Sequence, residues 1–497
     1  MKDQLPALII LAPLIVASLA PLIALLSARL LRMTAVGAIL ASFLCSVFAL
    51  IRTLSEGRWS YWFGGWEPPW GIEYVVDPLS AGMAVLITFI GMVVAVYVGP
   101  FIKPDASRLR KGIIHSLYLL MITGLLGMAL TGDFFNLFVF LEIASLSAYA
   151  LVVLGGPRAT VSAFYYVLVG SVGAFLYLLG VGYLYAMTGT LNMADLGERI
   201  QPLADSPAVI TAIVMITLGI ALKMALFPMH GWLPGVYTYA PPPITAFFSG
   251  VVGKVYAYVL LRFFFFTFGF DYGPIPDILN MLGIAAAVGI IVASVMAIGR
   301  NDFRSMLAYS SVAQIGYVVL GLAIGNSPAL LGAVLHMLNH AFMKCCLFFA
   351  AGGVKWKTGE HSLPMYAGLG KTMPLSMGAL TISALSMIGL PPTAGFFSKW
   401  YLLQGAVAAN MWPYVVVIVI GSLLSAVYFF RVIEQIYLKK RRAEDPGEDP
   451  VKKKYRWELP AAILIPIVIM GIGILILGIF NESIVTHVLQ YALPGGR

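Results

Sequence analysis

Charge is what this chain has least of. Only 11% of its 497 residues are Asp, Glu, Lys or Arg, against 60% hydrophobic, and that balance excludes a string of soluble domains. Cysteine is nearly as scarce: Cys45 stands in an early apolar run, and Cys345 and Cys346 are neighbours in a late one. Without a CxxC pair there is no signature of a zinc or iron–sulfur centre, and the three thiols read as small packing residues. No cofactor-binding motif stands out, and no catalytic cluster gathers at a membrane interface. The chain is therefore expected to have no catalytic centre of its own and no cofactor.

What is present is a succession of apolar runs from Leu5 to Phe480. They number about fourteen, each close to the 20 residues a helix needs to cross about 30 Å of hydrocarbon. The run from Pro6 to Ser27 is long, carries Lys2 beside Asp3 ahead of it, and is followed at once by another, so it reads as a retained span and not a cleaved signal. The expected fold is an all-α polytopic membrane protein. The net charge of +9 then bears on sidedness before it bears on any acidic partner. With the N-terminus outside, 21 of the 31 basic residues fall in connections facing the cytoplasm, among them Arg29, Arg32, Lys103, Arg158, Arg300, Arg304, Lys355 and the KKRRAEDPGEDPVKKKYRW loop. Six, Lys2, Arg52, Arg58, Arg199, Arg262 and Arg497, fall on the opposite side, and four remain for the membrane interior: Lys223, Lys254, Lys344 and Lys399. Both termini are thus expected outside. The basic loop is a solvated segment by default, with anionic lipid or a soluble partner as the alternative.

Four unpaired lysines at bilayer depth would cost on the order of 10 kcal/mol. They must be neutral, hydrated or paired, and each condition ties their protonation to their neighbours. Glu142 follows Asp133 by nine positions, which places it roughly 13 Å into the fifth span. It reads as an ion-relay carboxylate, with a structural carboxylate bonded to hydroxyls such as Ser145 as the alternative, whereas Asp133 reads as a helix cap. In the seventh span Lys223 precedes a break at Pro228 and Pro234, with His230 just beyond it; freed carbonyls there need partners, which water can supply. Lys254 sits in the eighth span near Tyr256 and Tyr258. In the eleventh, His336, His340 and Lys344 recur every four residues, so they share one helical face about 12 Å long. That spacing also suits a metal or haem ligand pair, but no matching carboxylate or second histidine pair accompanies it. Histidine exchanges protons near neutral pH and a desolvated lysine gives its proton up more readily, so a proton path is better supplied.

The twelfth span repeats the device of the seventh: ISALSMIGLPPTAGFFSKWYLL has a Gly-Leu-Pro-Pro break and then Lys399. One interrupted helix beside an interior lysine in each half suggests a duplicated transport unit. Ser310, Ser311 and Gln314 of the tenth span serve either as helix-to-helix glue or as water contacts. The loop RWSYWFGGWEPPWGIEYVVDP, rich in Trp and Tyr, suits the outer interface; binding of carbohydrate or quinone is its alternative.

Five stretches taken together, GDFFNLFVFLEIASLSAYALV, LKMALFPMHGWLPGVYTYAPPPITAFFSGVVGKVYAYVLLRF, NDFRSMLAYSSVAQIGY, HMLNHAFMKCCLFFAAGG and GLPPTAGFFSKW, resemble the antiporter-like subunits of respiratory complex I and of Mrp-type cation/proton antiporters. The likeness spans nearly the whole chain. It implies two inverted five-helix repeats, with N-terminal helices 1–3 in residues 1–110, helices 4–8 in 111–270, helices 9–13 in 271–440, and the basic loop with helix 14 in 441–497. It implies broken helices 7 and 12 and a hydrated charged axis at the bilayer midplane. Carried over by position, Glu142 resembles the carboxylate paired with Lys223, Lys254 the connecting lysine, His336, His340 and Lys344 the relay region, and Lys399 the terminal residue, a glutamate in some relatives. The lysine at 399 and the absence of a long lateral C-terminal helix look most like the Mrp D subunit or its counterpart in membrane-bound hydrogenase-type complexes. The expected function is proton translocation in a multisubunit complex of the prokaryotic cytoplasmic membrane, first as part of a sodium/proton antiporter. The alternatives are a redox-driven pump of hydrogenase or NADH dehydrogenase type and, more remotely, a membrane enzyme acting on lipid or quinone. The expected partners are other membrane subunits, protons, sodium ions and lipid, and no nucleic acid.

Overall fold

A computed structural model describes residues 4–102, 105–440 and 458–494. Lys2, Lys103, Arg497 and most of the basic loop lie outside the described residues. Among those described, twelve helices have the length and composition to cross a membrane, and two shorter apolar helices, Pro207–Lys223 and Pro374–Ile388, accompany them. In chain order we label α1 Leu5–Leu26, α2 Ala28–Glu56, α3 Pro78–Tyr97, α4 Arg108–Leu130, α5 Phe134–Val153, α6 Pro157–Thr188, α7 Pro207–Lys223 and α8 Leu233–Tyr239. After α9, Pro242–Thr267, follow α10 Ile275–Ile298, α11 Phe303–Ile324, α12 Ser327–Thr358, α13 Pro374–Ile388, α14 Ala394–Ala408, α15 Trp412–Tyr437 and α16 Ala461–Ile479. Between α2 and α3 the aromatic loop folds as an antiparallel hairpin, Trp59–Trp62 against Glu73–Val76. Its tip leaves Trp66 and Trp70 exposed.

The helices start where the sequence offers a cap. Asp77 closes a capping box with Ser80, Asp133 accepts from the Asn136 amide at 2.6 Å, and Asp302 accepts from the Ser305 amide at 2.8 Å. Each satisfies backbone donors that the first turn leaves free. The cap expected at Asp133 is there.

Burial is uneven. In α9, α11 and α12, 94% of the most apolar 18-residue window is buried, against 33% in α1, α2 and α15. Three helices therefore form the centre, and they carry Lys254, Gln314, His336, His340 and Lys344. The outer helices present Leu, Val, Ile and Phe to the surroundings, as a lipid-facing wall does.

Two sets of local features match between the halves. Phe134 donates its amide to the Leu191 carbonyl and Met193 to Gly132; likewise Phe303 donates to His361 and Leu363 to Asn301. These bonds form isolated bridges, Asp133 with Asn192 and Asp302 with Ser362. The long helices α6 and α12 both run 32 residues and both end on a left-handed glycine, Gly189 or Gly359. The breaks match too: Ala225 (φ 60°) is followed by Leu226, Phe227 and Pro228, and Gly389 (φ 95°) by Leu390, Pro391 and Pro392, each break closing on a cis X–Pro bond. Glycine is at ease at this φ and alanine is not, so Ala225 holds about 1–2 kcal/mol of backbone strain beside Lys223.

Candidate functional site

Two of the four interior lysines, Lys223 and Lys399, sit at or beside these breaks. Lys223 ends α7, so its side chain leaves the helix where the ladder stops. The amine donates to Ser145 Oγ at 2.9 Å and Tyr149 Oη at 3.3 Å, and lies 3.4 Å from Glu142 Oε1. The lysine side chain is fully buried, whereas the Glu142 side chain is 28% exposed. Glu142 is the ninth residue of α5, and its carboxylate faces the flank of the protein and not its centre. Ser145 Oγ in turn lies 3.4 Å from Tyr256 Oη, on the helix that carries Lys254.

Two residues apart on a helix means about 200° of rotation. Tyr256 therefore faces the Lys223 cluster while Lys254 faces the second half of the chain. The Lys254 amine donates to the Ser249 carbonyl inside a π-helical turn, Phe248–Val252. Such turns recur at functional sites because they free a carbonyl from the helix ladder. Gly250 in that turn allows close approach to α12, since a Cβ there would stand 2.3 Å from Cys345 Sγ. Cys345 itself donates to the Ala246 carbonyl at 3.3 Å. Lys254, Lys344 and His336 all lie within electrostatic reach of His340.

The second cluster runs along α12. His336 engages Gln314 Oε1 and Ser398 Oγ, each at 2.9 Å, so both of its ring nitrogens are held. Its ring stacks on His340 at 5.8 Å. His340 is fully buried, and neither ring nitrogen meets a protein partner among the described residues. A buried imidazole of this kind is free to change partners, which a held one is not. The Lys344 amine donates to the Leu307 carbonyl at 2.8 Å. Lys399 lies 4.9 Å from the Tyr317 ring, which is 5.7 Å from His336.

The carbonyls at the breaks are met by protein. Trp232 Nε1 donates to Leu222 O at 3.0 Å in the first break. In the second, the Lys399 amine donates to Met387 O at 2.9 Å, Ile388 O at 3.1 Å and Ser422 Oγ at 3.0 Å. At the first break the indole meets one of the freed carbonyls, Leu222 O. Ser310 acts as glue through Tyr428 at 3.0 Å, and Gln314 belongs to the histidine cluster.

Not every expected residue joins. His230 packs between the rings of Phe227 (5.4 Å) and Tyr309 (6.5 Å), and forms no hydrogen bond to the other candidates among the described residues. Arg304, which the charge distribution put in a cytoplasm-facing connection, is buried, at 1% exposed. Its Nη2 donates to Tyr237 O (3.0 Å), Ala240 O (2.6 Å) and Thr245 Oγ1 (2.6 Å), clamping the end of α8 to the start of α9. Position two residues into a helix made it look like a surface arginine; its length let it reach inward instead of snorkelling out.

A polytopic helical membrane protein with two matched helix breaks, and ionisable side chains strung between them, has the build of an antiporter-like membrane subunit. The chain belongs to the NADH:quinone oxidoreductase/Mrp antiporter transmembrane family, whose pattern matches residues 131–425. It is 52% identical to NADH-quinone oxidoreductase subunit N of Desulforudis audaxviator, over 99% of each chain. It is 31% identical to the Na(+)/H(+) antiporter D subunit of Alkalihalophilus pseudofirmus, covering 92% of this chain and 90% of that one. Among solved structures it is similar to a chain of an archaeal respiratory membrane complex, the membrane-bound sulfane sulfur reductase, with a TM-score of 0.89, 30% identity and coverage of 98% and 96%.

Proposed function

We propose that this chain is a proton-translocating subunit of a redox-driven membrane complex of the NADH dehydrogenase type. The observation that carries the reading is the polar line from the Glu142–Lys223 pair through Ser145 and Tyr256 to the helix holding Lys254, and from there to His340, His336 and Lys399. Making and breaking the Glu142–Lys223 pair changes how firmly Lys223 holds its proton. The proton passes toward Lys254, crosses to the histidines, and Lys399 exchanges with one side. Lys344 tunes the field at His340, and His230 stands at the edge of the first break.

The matched bridges, helix lengths and breaks support two copies of a five-helix unit, 111–270 and 271–440. An odd number of crossings would make the second copy inverted, which suits alternating access from opposite faces. The excess of basic connections supports a chain with both termini on the outer side of a prokaryotic cytoplasmic membrane.

The sequence alone placed an Mrp-type sodium/proton antiporter first. The 52% identity to a quinone oxidoreductase subunit favours the redox-driven alternative, and the 31% identity to a sodium/proton antiporter subunit keeps the other as the second reading. Purification of the intact complex in a gentle detergent separates them. Co-purifying flavin and iron–sulfur proteins, with vesicle acidification on supplying reductant and quinone, is the expected result. A set of small membrane subunits that acidifies vesicles only on a sodium gradient would overturn it in favour of the antiporter.

A further inference from the structure

Outside the proposed relay, one group of charged side chains stays close to it. Arg262 stands eight residues after Lys254 on α9, with Tyr258 midway, so the three share one helical face about 12 Å long. Arg262 Nε donates to Tyr258 Oη at 2.9 Å. Its two terminal nitrogens grip Asp77 as a fork, Nη2 to Oδ1 and Nη1 to Oδ2, both at 2.6 Å. Asp77 is held from behind by the amides of Leu79 and Ser80. Burial pushes the Asp77 carboxyl up, but the Arg262 charge and bonds outweigh that and hold it below the usual range. Tyr258, 2% exposed, donates to the Ala129 carbonyl at 2.6 Å. A pocket on the hairpin side is lined by Arg58, Glu73, Thr131, Tyr258 and Arg262 together with apolar neighbours.

We propose that the Arg262–Asp77 pair is a fixed seal that, by holding Tyr258 in place, keeps protons in the hairpin-side pocket from reaching Lys254, and that Tyr258 is the side chain a leak would use. The inference rests on the proton-relay reading. A guanidinium gives up no proton at working pH, so it cannot relay one, and the Asp77 fork fixes it on Tyr258 Oη; the pair is close to neutral, so the block is one of position, and losing either partner frees Tyr258. Tyr258 is also occupied, its hydrogen on Ala129 and its oxygen under Arg262, so it cannot turn to pass a proton. The corresponding end of the second half is built differently. Arg431 donates to the Ile298 carbonyl and the Asn301 side chain, with no carboxylate fork among the described residues.

The test is passive proton leak across vesicles holding the whole complex, after an imposed pH step with no driving reaction. Asp77→Asn and Arg262→Gln should each raise the leak at least about tenfold, with potassium leak unchanged, and adding Tyr258→Phe should return it close to wild type. Asp77→Asn keeps the helix cap, so it remains a usable variant if Arg262→Gln fails to assemble. Unchanged leak in these variants, or a raised leak that Tyr258→Phe leaves in place, would overturn the seal in a complex whose wild type still transports protons when driven. A wild-type complex that moves no protons would overturn the relay reading, and the seal with it.

Discussion

Lys399 has two jobs in the structure, and they can be separated. Its amine caps Met387 O and Ile388 O at the second break, and it stands at the end of the proposed relay. Lys399→Met would strand two carbonyls of buried residues at about 1–3 kcal/mol each, roughly 2–6 kcal/mol together. Against that, about 2.5–3.5 kcal/mol for holding a lysine at bilayer depth disappears. The balance runs from about −1.5 to about +3.5 kcal/mol, small enough for the complex to assemble. Lys399→Arg keeps donors for both carbonyls but cannot release a proton, at an overpacking cost of about 1–3 kcal/mol. Thermal unfolding of the complex and driven proton transport in vesicles read the two jobs separately. Both variants should unfold near the wild-type temperature and lose transport at least about tenfold, equivalent to more than about 1.4 kcal/mol on the limiting barrier. Wild-type transport by Lys399→Arg, with strong destabilisation in Lys399→Met, would make Lys399 a structural cap and end the relay elsewhere.

Two further outcomes follow from the geometry. Trp232→Phe keeps the stacking on Tyr166 (ring centroids 4.1 Å apart) but removes one donor to Leu222 O, leaving the Ala225 amide at 3.1 Å; denaturation should show a loss of about 0.5–1.5 kcal/mol, and no loss would mean the indole bond adds nothing to stability. Asp302 lies outside the spans: burial pushes its carboxyl up, but bonds from His361 and the Ser305 amide, with the charges of His361 and Arg304, hold it below the usual range. A lowered folded value stabilises above the ordinary aspartate range and is lost as pH falls below about 4. Asp302→Asn, which keeps the cap, should therefore lag the wild type at pH 7 and draw level in acid; a gap that widens in acid would contradict the assignment.

Much of the site was legible because interior charge is rare. Lys223, Lys254, Lys344 and Lys399 are buried where apolar runs predicted them, and the second proline break supplies Lys399 with two carbonyl partners. Periodicity put His336, His340 and Lys344 on one face, but it could not say that His336 would be held by Gln314 and Ser398 while His340 stays unheld. Those facts depend on packing between α11, α12 and α14. The lateral direction of Glu142 escaped for the same reason: position along a helix fixes depth, and neighbours fix exposure. Arg304 and Trp232 escaped because each side chain reaches back to a backbone carbonyl from a segment that reads as a connection. Neither leaves a trace in hydropathy.

The central claim is that Lys223, set by Glu142, moves protons. Its most direct test is driven proton transport by the reconstituted whole complex carrying Lys223→Ala or Glu142→Ala, with subunit composition checked in the same preparation. The account predicts complete assembly and no coupled transport in either variant. Full transport in both would contradict it.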